Sequence, residues 1–301
     1  MKFSTLISSK LVAAVVVGAV QFAAAIPTAF ATPTAAEYGV VLNLSGKQRM
    51  LTQKMSKEAL FVALGVNTDK NLQSLQGTVS LFDKTLKGLR DGDASLGLPA
   101  TQSGRIVRQL DKVGELWTAY QGTMNEIISA KSVSDANVEV IATQSVPLLK
   151  AMNKAVGLYE KDAQLAGLQT DPSLATTINL SGKQRMLSQK MTKELLLHIY
   201  QSGSGDAKMA LLETSSLFER TLAGLLDGDA NLDLPGTAQP AIRDQLQVVN
   251  GIWGEFKGVI EEGVGSANGL SGDKLQELET DNLNLLKEMN KAVGMYADLA
   301  A

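Results

Sequence analysis

The sequence predicts an all-α protein built from two tandem up-down-up-down four-helix bundles. A 13-residue segment occurs twice, as NLSGKQRMLTQKM at 43–55 and as NLSGKQRMLSQKM at 179–191, with a single difference. Each half of the chain contains four stretches of helical periodicity and no convincing strand alternation. Most of the seven prolines lie near the N-terminus or at the Leu98-Pro99 and Leu234-Pro235 turns. This placement leaves room for long, uninterrupted helices.

The periodicity predicts four helices in each half, joined by short connections that are typical of an up-down-up-down bundle. In the first half we expect helices over 36–65, 69–90, 101–130 and 135–166. In the second half we expect helices over 172–201, 206–226, 237–263 and 271–299.

The two halves are related by a duplication. The sequence offset is 136 residues through the motif and through Trp117 and Trp253, and it becomes 137 in the fourth helices. We therefore expect one domain over 32–168 and a second over 169–301. The connection between the predicted bundles is long enough for them to lie side by side or stacked end to end. Gly167 and Pro172 interrupt a continuous helix and favour the side-by-side arrangement.

The N-terminal 31 residues resemble a secretory signal peptide. Lys2 and Lys10 precede an apolar run, and Ala29-Phe30-Ala31 matches a cleavage site, so we expect cleavage after Ala31. An uncleaved anchor is the alternative, although the run is shorter than the ~20 residues that span a bilayer. The chain has no cysteine, and a periplasmic location therefore fits best. Its net charge of −3 argues against nucleic acid as a partner.

Small and hydroxyl side chains surround one arginine in each copy of the motif. On a helix, the first copy places Ser45, Gly46, Arg49, Thr52 and Gln53 on one stripe, and the second copy does the same with Ser181, Gly182, Arg185, Ser188 and Gln189. Arginine keeps its charge, and its planar fork suits an oxyanion, to which the hydroxyl and amide groups add donors. If the two copies face each other, an anion between Arg49 and Arg185 relieves their repulsion. Alternatively, the arginines pair with acidic residues of neighbouring helices and the small residues only permit close helix approach.

The motif resembles the signature of the PilJ-type, NarX-like sensory domain, a periplasmic four-helix module of type IV pilus chemotaxis transducers and nitrate/nitrite sensor kinases. The matching residues are Asn43, Gly46, Arg49 and Met50, with Asn179, Gly182, Arg185 and Met186 in the second copy. Family members that sense nitrate bind it at a homodimer interface, with this arginine from each subunit. The resemblance implies Arg49 and Arg185 as anion ligands. The duplication allows one chain to supply both halves of the site, and the alternative is that the two halves pair across a dimer.

Other motifs in the sequence give weaker indications of function. Asp91-Gly92-Asp93 lacks the downstream ligands of a calcium loop and is typical of a helix-ending turn. His198 has no cluster of metal-ligating residues beside it in the sequence, and Trp117 and Trp253 are predicted core residues. The repeated segment Met-Asn-Lys-Ala-Val-Gly could line the ligand face, but we expect it to serve close helix packing near Gly157 and Gly294.

Two hypotheses follow. The first is a soluble periplasmic protein that binds a small anion, nitrate or nitrite by preference, and presents its liganded state to a membrane sensor or chemoreceptor. The second is a ligand-free helical interaction module that binds a membrane transducer, a pilus-chemotaxis partner, or a second copy of itself as a homodimer. We expect no cofactor and no metal. The sequence shows no candidate nucleophile, acid/base pair or metal cluster, and it therefore does not indicate an enzyme.

Overall fold

The computed structural model describes residues 33–166, 173–201, 203, 205–266 and 269–299. These residues form eight α-helices and two short 3-10 turns, without a β-strand, which confirms the all-α fold class. The helices are α1 (Ala35–Ala63), α2 (Thr68–Asp91), α3 (Gly104–Ala130), α4 (Asp135–Ala166), α5 (Leu174–Tyr200), α6 (Gly205–Asp227), α7 (Pro240–Gly265) and α8 (Gly272–Asp298). Every predicted helix is present, and its ends lie within three residues of the prediction.

Short polar side chains define where several helices begin. Thr34 Oγ1 accepts a hydrogen bond from Glu37 N at 3.2 Å, and Glu37 Oε2 accepts one from Thr34 N at 2.7 Å. This reciprocal capping box satisfies two backbone donors that the first turn of α1 leaves free. Ser134 and Asn137 form the same arrangement before α4. Ser271 Oγ accepts from Lys274 N and caps α8.

The turn between α2 and α3 explains the repeated Asp-Gly-Asp segment. Gly92 has φ +86°, and a β-carbon there would lie 3.0 Å from Ala100 N. Only glycine fits this backbone without strain. Asp93 Oδ1 accepts from Ser95 N at 2.8 Å and caps the 3-10 turn that follows. The corresponding turn after α6 repeats this geometry, so these aspartates end helices and cap turns, as the sequence predicts.

Each repeat is a four-helix bundle with a compact apolar core. In the first repeat α1 packs against α2 and α4, and α3 packs against α2 and α4. In the second repeat α5 to α8 follow the same order. Trp117 is buried and its ring centroid lies 4.4 Å from that of Phe82, while Trp253 lies 4.7 Å from Phe218. Both tryptophans are therefore core residues, as predicted.

The two repeats lie side by side, with α1 against α5 and with α4 and α8 flanking that contact. Gly46 and Gly182 meet in the N-terminal halves of α1 and α5. Towards the C-terminal ends, Lys57 Nζ of α1 donates to Asn282 Oδ1 of α8, and Asn282 Nδ2 donates to Ser188 O of α5. Because both contacts join equivalent levels, α1 and α5 run parallel and in register. The side-by-side arrangement favoured by the sequence is confirmed.

The N-terminal prediction concerns residues that precede the described part of the chain. No helix in the described part of the chain has both the length and the apolar character to cross a bilayer. The expected signal peptide, its cleavage position after Ala31, and the connection over 167–172 lie outside the described residues. From Pro33 onwards, the described residues form one compact unit.

Candidate functional site

The two repeats approach each other closely where the repeated motifs meet. A β-carbon at Gly46 would lie 3.9 Å from Gly182 Cα, so the two helix backbones are nearly in contact at this level. The same β-carbon would lie 3.4 Å from Nη2 of Arg49 and 3.4 Å from Nη2 of Arg185. The two guanidinium groups therefore flank one point between the paired glycines.

Arg49 donates to two neutral acceptors, one in the other repeat and one in its own. Its Nη2 donates to the backbone oxygen of Asn179 in α5 at 2.9 Å, and its Nη1 donates to Asn153 Oδ1 in α4 at 2.9 Å. Within the described residues it forms no ion pair with a carboxylate, and its buried Nε has no hydrogen-bond partner. Arg49 is 1% exposed, so a full positive charge is held in the interior without a carboxylate bound to it.

Arg185 makes the corresponding bonds in the opposite direction. Its Nη2 donates to the backbone oxygen of Asn43 at 3.0 Å, and its Nη1 donates to Asn43 Oδ1 at 2.9 Å and to Asn290 Oδ1 at 3.2 Å. It is 2% exposed, its Nε is also without a partner, and it too forms no ion pair within the described part of the chain. The two arginines are thus related by a pseudo-twofold axis parallel to α1 and α5.

Burial and mutual repulsion both act on these charges. Burial lowers the pKa of Arg49 to about 10, and the nearby Glu160 partly offsets it. Burial together with the charge of Arg49 lowers the pKa of Arg185 to about 9. Both groups remain protonated at neutral pH. Burial and the nearby arginines also lower the pKa of Lys47 and of Lys183, so four cations surround this region.

Glu160 is the acidic residue whose charge acts on Arg49. Its Oε2 accepts a hydrogen bond from Asn179 Nδ2 at 2.6 Å. Burial raises the pKa of Glu160, while hydrogen bonds from Thr176 and Asn179 and the charge of Arg49 oppose that rise. The carboxylate therefore lies beside the site without contacting either guanidinium directly.

The hydroxyl and amide groups predicted to line the site are buried, but they donate within their own repeats. Ser45 Oγ donates to Leu42 O, Thr52 Oγ1 donates to Arg49 O, and Gln53 Nε2 donates to Ser145 O in α4. The second copy has equivalent bonds from Ser181 and Ser188 to their own helix and from Gln189 to Ser188. The structure brings together Gly46, Arg49, Gly182 and Arg185, and it places these polar side chains behind the arginines, along the supporting helices.

Comparison with known proteins identifies the family to which both repeats are similar. Residues 34–143 and 168–274 each match the family model described as "Type IV pili methyl-accepting chemotaxis transducer N-term", or PilJ. The chain belongs to the PilJ family. Its two matched segments correspond to the two structural repeats and confirm the tandem duplication.

One curated relative of this PilJ protein is the methyl-accepting chemotaxis protein McpN of Pseudomonas aeruginosa. The two are 35% identical over 121 residues, which is 40% of this chain and 22% of McpN. The chain therefore spans about a fifth of that relative's length. The relation connects the PilJ repeats with the sensory part of chemotaxis signalling.

The structure corrects one expectation about the PilJ repeats. The Met-Asn-Lys-Ala-Val-Gly segments were expected to serve close packing near Gly157 and Gly294. A β-carbon at either glycine would meet nothing within 4 Å, so the close packing expected at the glycines is wrong, although the methionine, alanine and valine of both segments are buried in the core. Instead, Asn153 and Asn290 of these segments bind the two arginines. The recurrence of the segment indicates that it has a role in both repeats, but it does not identify the side chain that faces α1 or α5.

A second pair of buried cations crosses the same interface and was not anticipated. Lys57 Nζ donates to Asn282 Oδ1 at 2.7 Å, and Lys193 Nζ donates to Ser145 Oγ at 3.3 Å. Burial lowers the pKa of Lys57 to about 7 and that of Lys193 to about 8. Each lysine extends from the first helix of its own repeat to the fourth helix of the other.

The described residues contain no group of three or more histidine, aspartate or glutamate side chains placed to hold a metal ion. His198 is buried at the C-terminal end of α5, far along the helix from Arg185.

Proposed function

We propose that this chain is a sensory binding protein that holds one small oxyanion, nitrate or nitrite by preference, between Arg49 and Arg185. The observation that carries the proposal is the pair of buried guanidinium groups directed at one point between Gly46 and Gly182. Neither guanidinium has an ion-pair partner among the described residues, and each keeps a buried Nε without a partner. A buried charge of this kind is costly unless an ion of opposite sign is supplied.

The hydrogen bonds around the arginines favour a small ligand. Nη2 of each arginine donates to a backbone oxygen of the other repeat, and a neutral carbonyl is a weaker acceptor than an oxyanion. When an anion lies between the two guanidinium groups, each arginine can donate to the anion in a charge-assisted hydrogen bond, and the anion screens the repulsion between the arginines. Because both arginines come from one chain, the proposal requires one anion per chain.

Membership of the PilJ family supports a role in sensing rather than in catalysis. The curated relative is named a methyl-accepting chemotaxis protein, and a liganded PilJ repeat pair has a natural recipient in a membrane sensor or chemoreceptor. The predicted signal peptide supports a periplasmic location, where such a receptor exposes its sensory part. We therefore place the chain upstream of membrane signalling as an anion-binding component.

Calorimetric titration tests the anion site. The purified chain is titrated with nitrate and nitrite, with chloride as a control for ionic strength, and we expect one site per chain. Arg49→Ala and Arg185→Ala each remove charge-assisted bonds and should weaken binding by about tenfold or more. The exposed Arg108→Ala is the matched control and should bind as wild type. Absence of nitrate and nitrite binding, or equal affinity in all three variants, contradicts the proposal.

One observation favours a second candidate, a helical module without a small ligand. The arginines already join the two repeats through Asn179 and Asn43, and this contact alone explains part of their burial. In that case titrations remain flat, while Arg49→Ala changes stability or the partners that the protein binds. The motif stripe is occupied by contact between the repeats, so self-association through it requires the repeats to separate. Sedimentation of the Arg49→Ala variant measures this directly.

A further inference from the structure

The two repeats supply matching groups to the arginines, with one exception. Gly46 matches Gly182, Asn153 matches Asn290, and each arginine reaches the asparagine that opens the other motif. In α4, Glu160 lies seven residues after Asn153. The position seven residues after Asn290 in α8 is Ala297. The carboxylate therefore occurs on one side of the pseudo-twofold axis alone.

Glu160 changes the hydrogen bonds around Arg49. On the side without a carboxylate, Asn43 Oδ1 accepts from Arg185 Nη1 at 2.9 Å. On the other side, Glu160 Oε2 binds Asn179 Nδ2 at 2.6 Å, and the buried Asn179 Oδ1 has no partner among the described residues. Arg49 Nη1 consequently keeps a single bond, to Asn153. The carboxylate binds the side-chain amide of Asn179, so that Arg49 contacts only the backbone oxygen of this residue and has one acceptor fewer than Arg185.

Glu160 also changes the charge of the site. Arg49 and Arg185 contribute two positive charges in the interior, and the ionised carboxylate of Glu160, which binds Asn179 beside them, reduces their sum to one. Lys47 and Lys183 are partly exposed, so solvent screens them more strongly than the arginines. A singly charged anion neutralises the inner group, whereas a doubly charged anion leaves an excess negative charge in a region of low dielectric.

We propose that Glu160 is a specificity-determining residue that restricts the site between the repeats to singly charged anions. It acts as a resident carboxylate beside Arg49 and through the orientation of Asn179. This inference rests on the proposed function, because it assigns a charge preference to the same anion site.

Competing titrations of the full chain with nitrate and with sulfate test the charge preference. In wild type we expect nitrate to bind more tightly than sulfate. Glu160→Gln removes the charge and keeps a similar shape, and it should increase sulfate affinity about tenfold or more relative to nitrate affinity. Glu160→Asp should retain the wild-type preference. The exposed Glu139→Gln in the same helix is the matched control and should leave both affinities unchanged.

The duplication supplies a reverse variant. Ala297→Glu adds a second carboxylate at the equivalent position beside Arg185, and it should weaken nitrate binding about tenfold or more because the inner charge falls to zero. Circular dichroism and thermal unfolding of each variant verify the fold, and Ala297→Glu provides an independent test of the charge effect should Glu160→Gln fail to fold.

The outcomes separate this inference from the proposed function. If wild type binds nitrate, loses it in Arg49→Ala, and keeps an unchanged ratio of nitrate to sulfate affinity in Glu160→Gln, the role of Glu160 is refuted and the anion site stands. If Glu160→Asp shifts the ratio as much as Glu160→Gln does, the carboxylate charge is not the cause and the inference is also overturned. If wild type binds neither anion, both the site and its selectivity are rejected.

Discussion

Replacing Lys57 by methionine should stabilise the protein at neutral and mildly acidic pH, although it removes a hydrogen bond. Lys57 is 1% exposed, and burial lowers its pKa from 10.5 to about 7. A difference of one in pKa corresponds to about 1.4 kcal/mol, so the cost of keeping this ammonium charged in the folded protein is at most about 5 kcal/mol. Methionine has a similar length and removes that cost.

The gain is reduced by the acceptor that the lysine leaves behind. Asn282 Oδ1 accepts from Lys57 Nζ at 2.7 Å in a fully buried position. Leaving a buried acceptor without a partner costs about 1–3 kcal/mol. We therefore expect Lys57→Met to raise the free energy of unfolding by about 2–4 kcal/mol at pH 6, in line with other replacements of buried charges by apolar residues.

The pKa of Lys57 determines how the stability difference between Lys57→Met and wild type changes with pH. The folded-state pKa of Lys57 lies below its unfolded value, so between about pH 7 and 10.5 the unfolded chain binds more protons than the folded one. The stability of wild type therefore rises with pH over this window, and Lys193 contributes in the same direction above its pKa of about 8. The advantage of Lys57→Met should consequently shrink to near zero, or reverse, by pH 9.5. Above pH 10 the raised pKa of Tyr120 acts in the opposite direction.

Urea denaturation followed by circular dichroism at half-unit steps from pH 6 to 9.5 measures both the gain and its decline. The exposed Lys112→Met is the control and should stay within about 0.5 kcal/mol of wild type at every pH. A Lys57→Met protein that is less stable than wild type at pH 6, or whose advantage does not change with pH, would refute the reasoning that burial destabilises the charged lysine.

Three further predictions concern single positions. Gly46→Ala places a methyl group 3.4 Å from both arginine Nη2 atoms, and calorimetry should find nitrate binding weakened or lost while circular dichroism still reports a folded helical protein. The new methyl group of Gly157→Ala meets nothing within 4 Å inside α4, so chemical denaturation should find this variant more stable than wild type by about 0.5–1 kcal/mol. A loss of stability would indicate that Gly157 is required for close helix packing. Trp117→Ala empties a core position against Phe82 and should lower the free energy of unfolding by about 3–5 kcal/mol, and a change below 1 kcal/mol would contradict its role as a core residue.

Much of the fold could be predicted because the helical periodicity of each segment agrees between the two repeats. Apolar periodicity predicts each helix, and the duplication provides two independent views of every element. The arginine pair could also be predicted, since Arg49 and Arg185 occupy the same stripe of equivalent helices. Their convergence depended on the condition that the two copies face each other, which only the tertiary arrangement decides.

The other residues of the interface were not predictable for physical reasons. Asn153 is part of a recurring segment, but periodicity does not tell whether its side chain meets α1 or solvent. Lys57 is buried and donates to Asn282 of the second repeat, a contact that exists because a second bundle covers α1. Glu160 is notable for having no counterpart in the second repeat, and a missing match gives no pattern to detect. These features depend on contacts between the repeats rather than on any local sequence signal.

Joining the two repeats in one chain also explains how the interface tolerates so much buried charge. Arg49, Arg185, Lys57 and Lys193 all lie in the contact between the bundles and are at most 2% exposed. In a dimer of separate chains the association free energy must offset their desolvation, whereas a covalent connection makes the contact intramolecular. The connection has a second consequence at Glu160. A symmetric dimer would contain that carboxylate twice, and two carboxylates would cancel the charge of the arginine pair. A tandem chain can carry one, so a net positive charge remains for the anion that we propose.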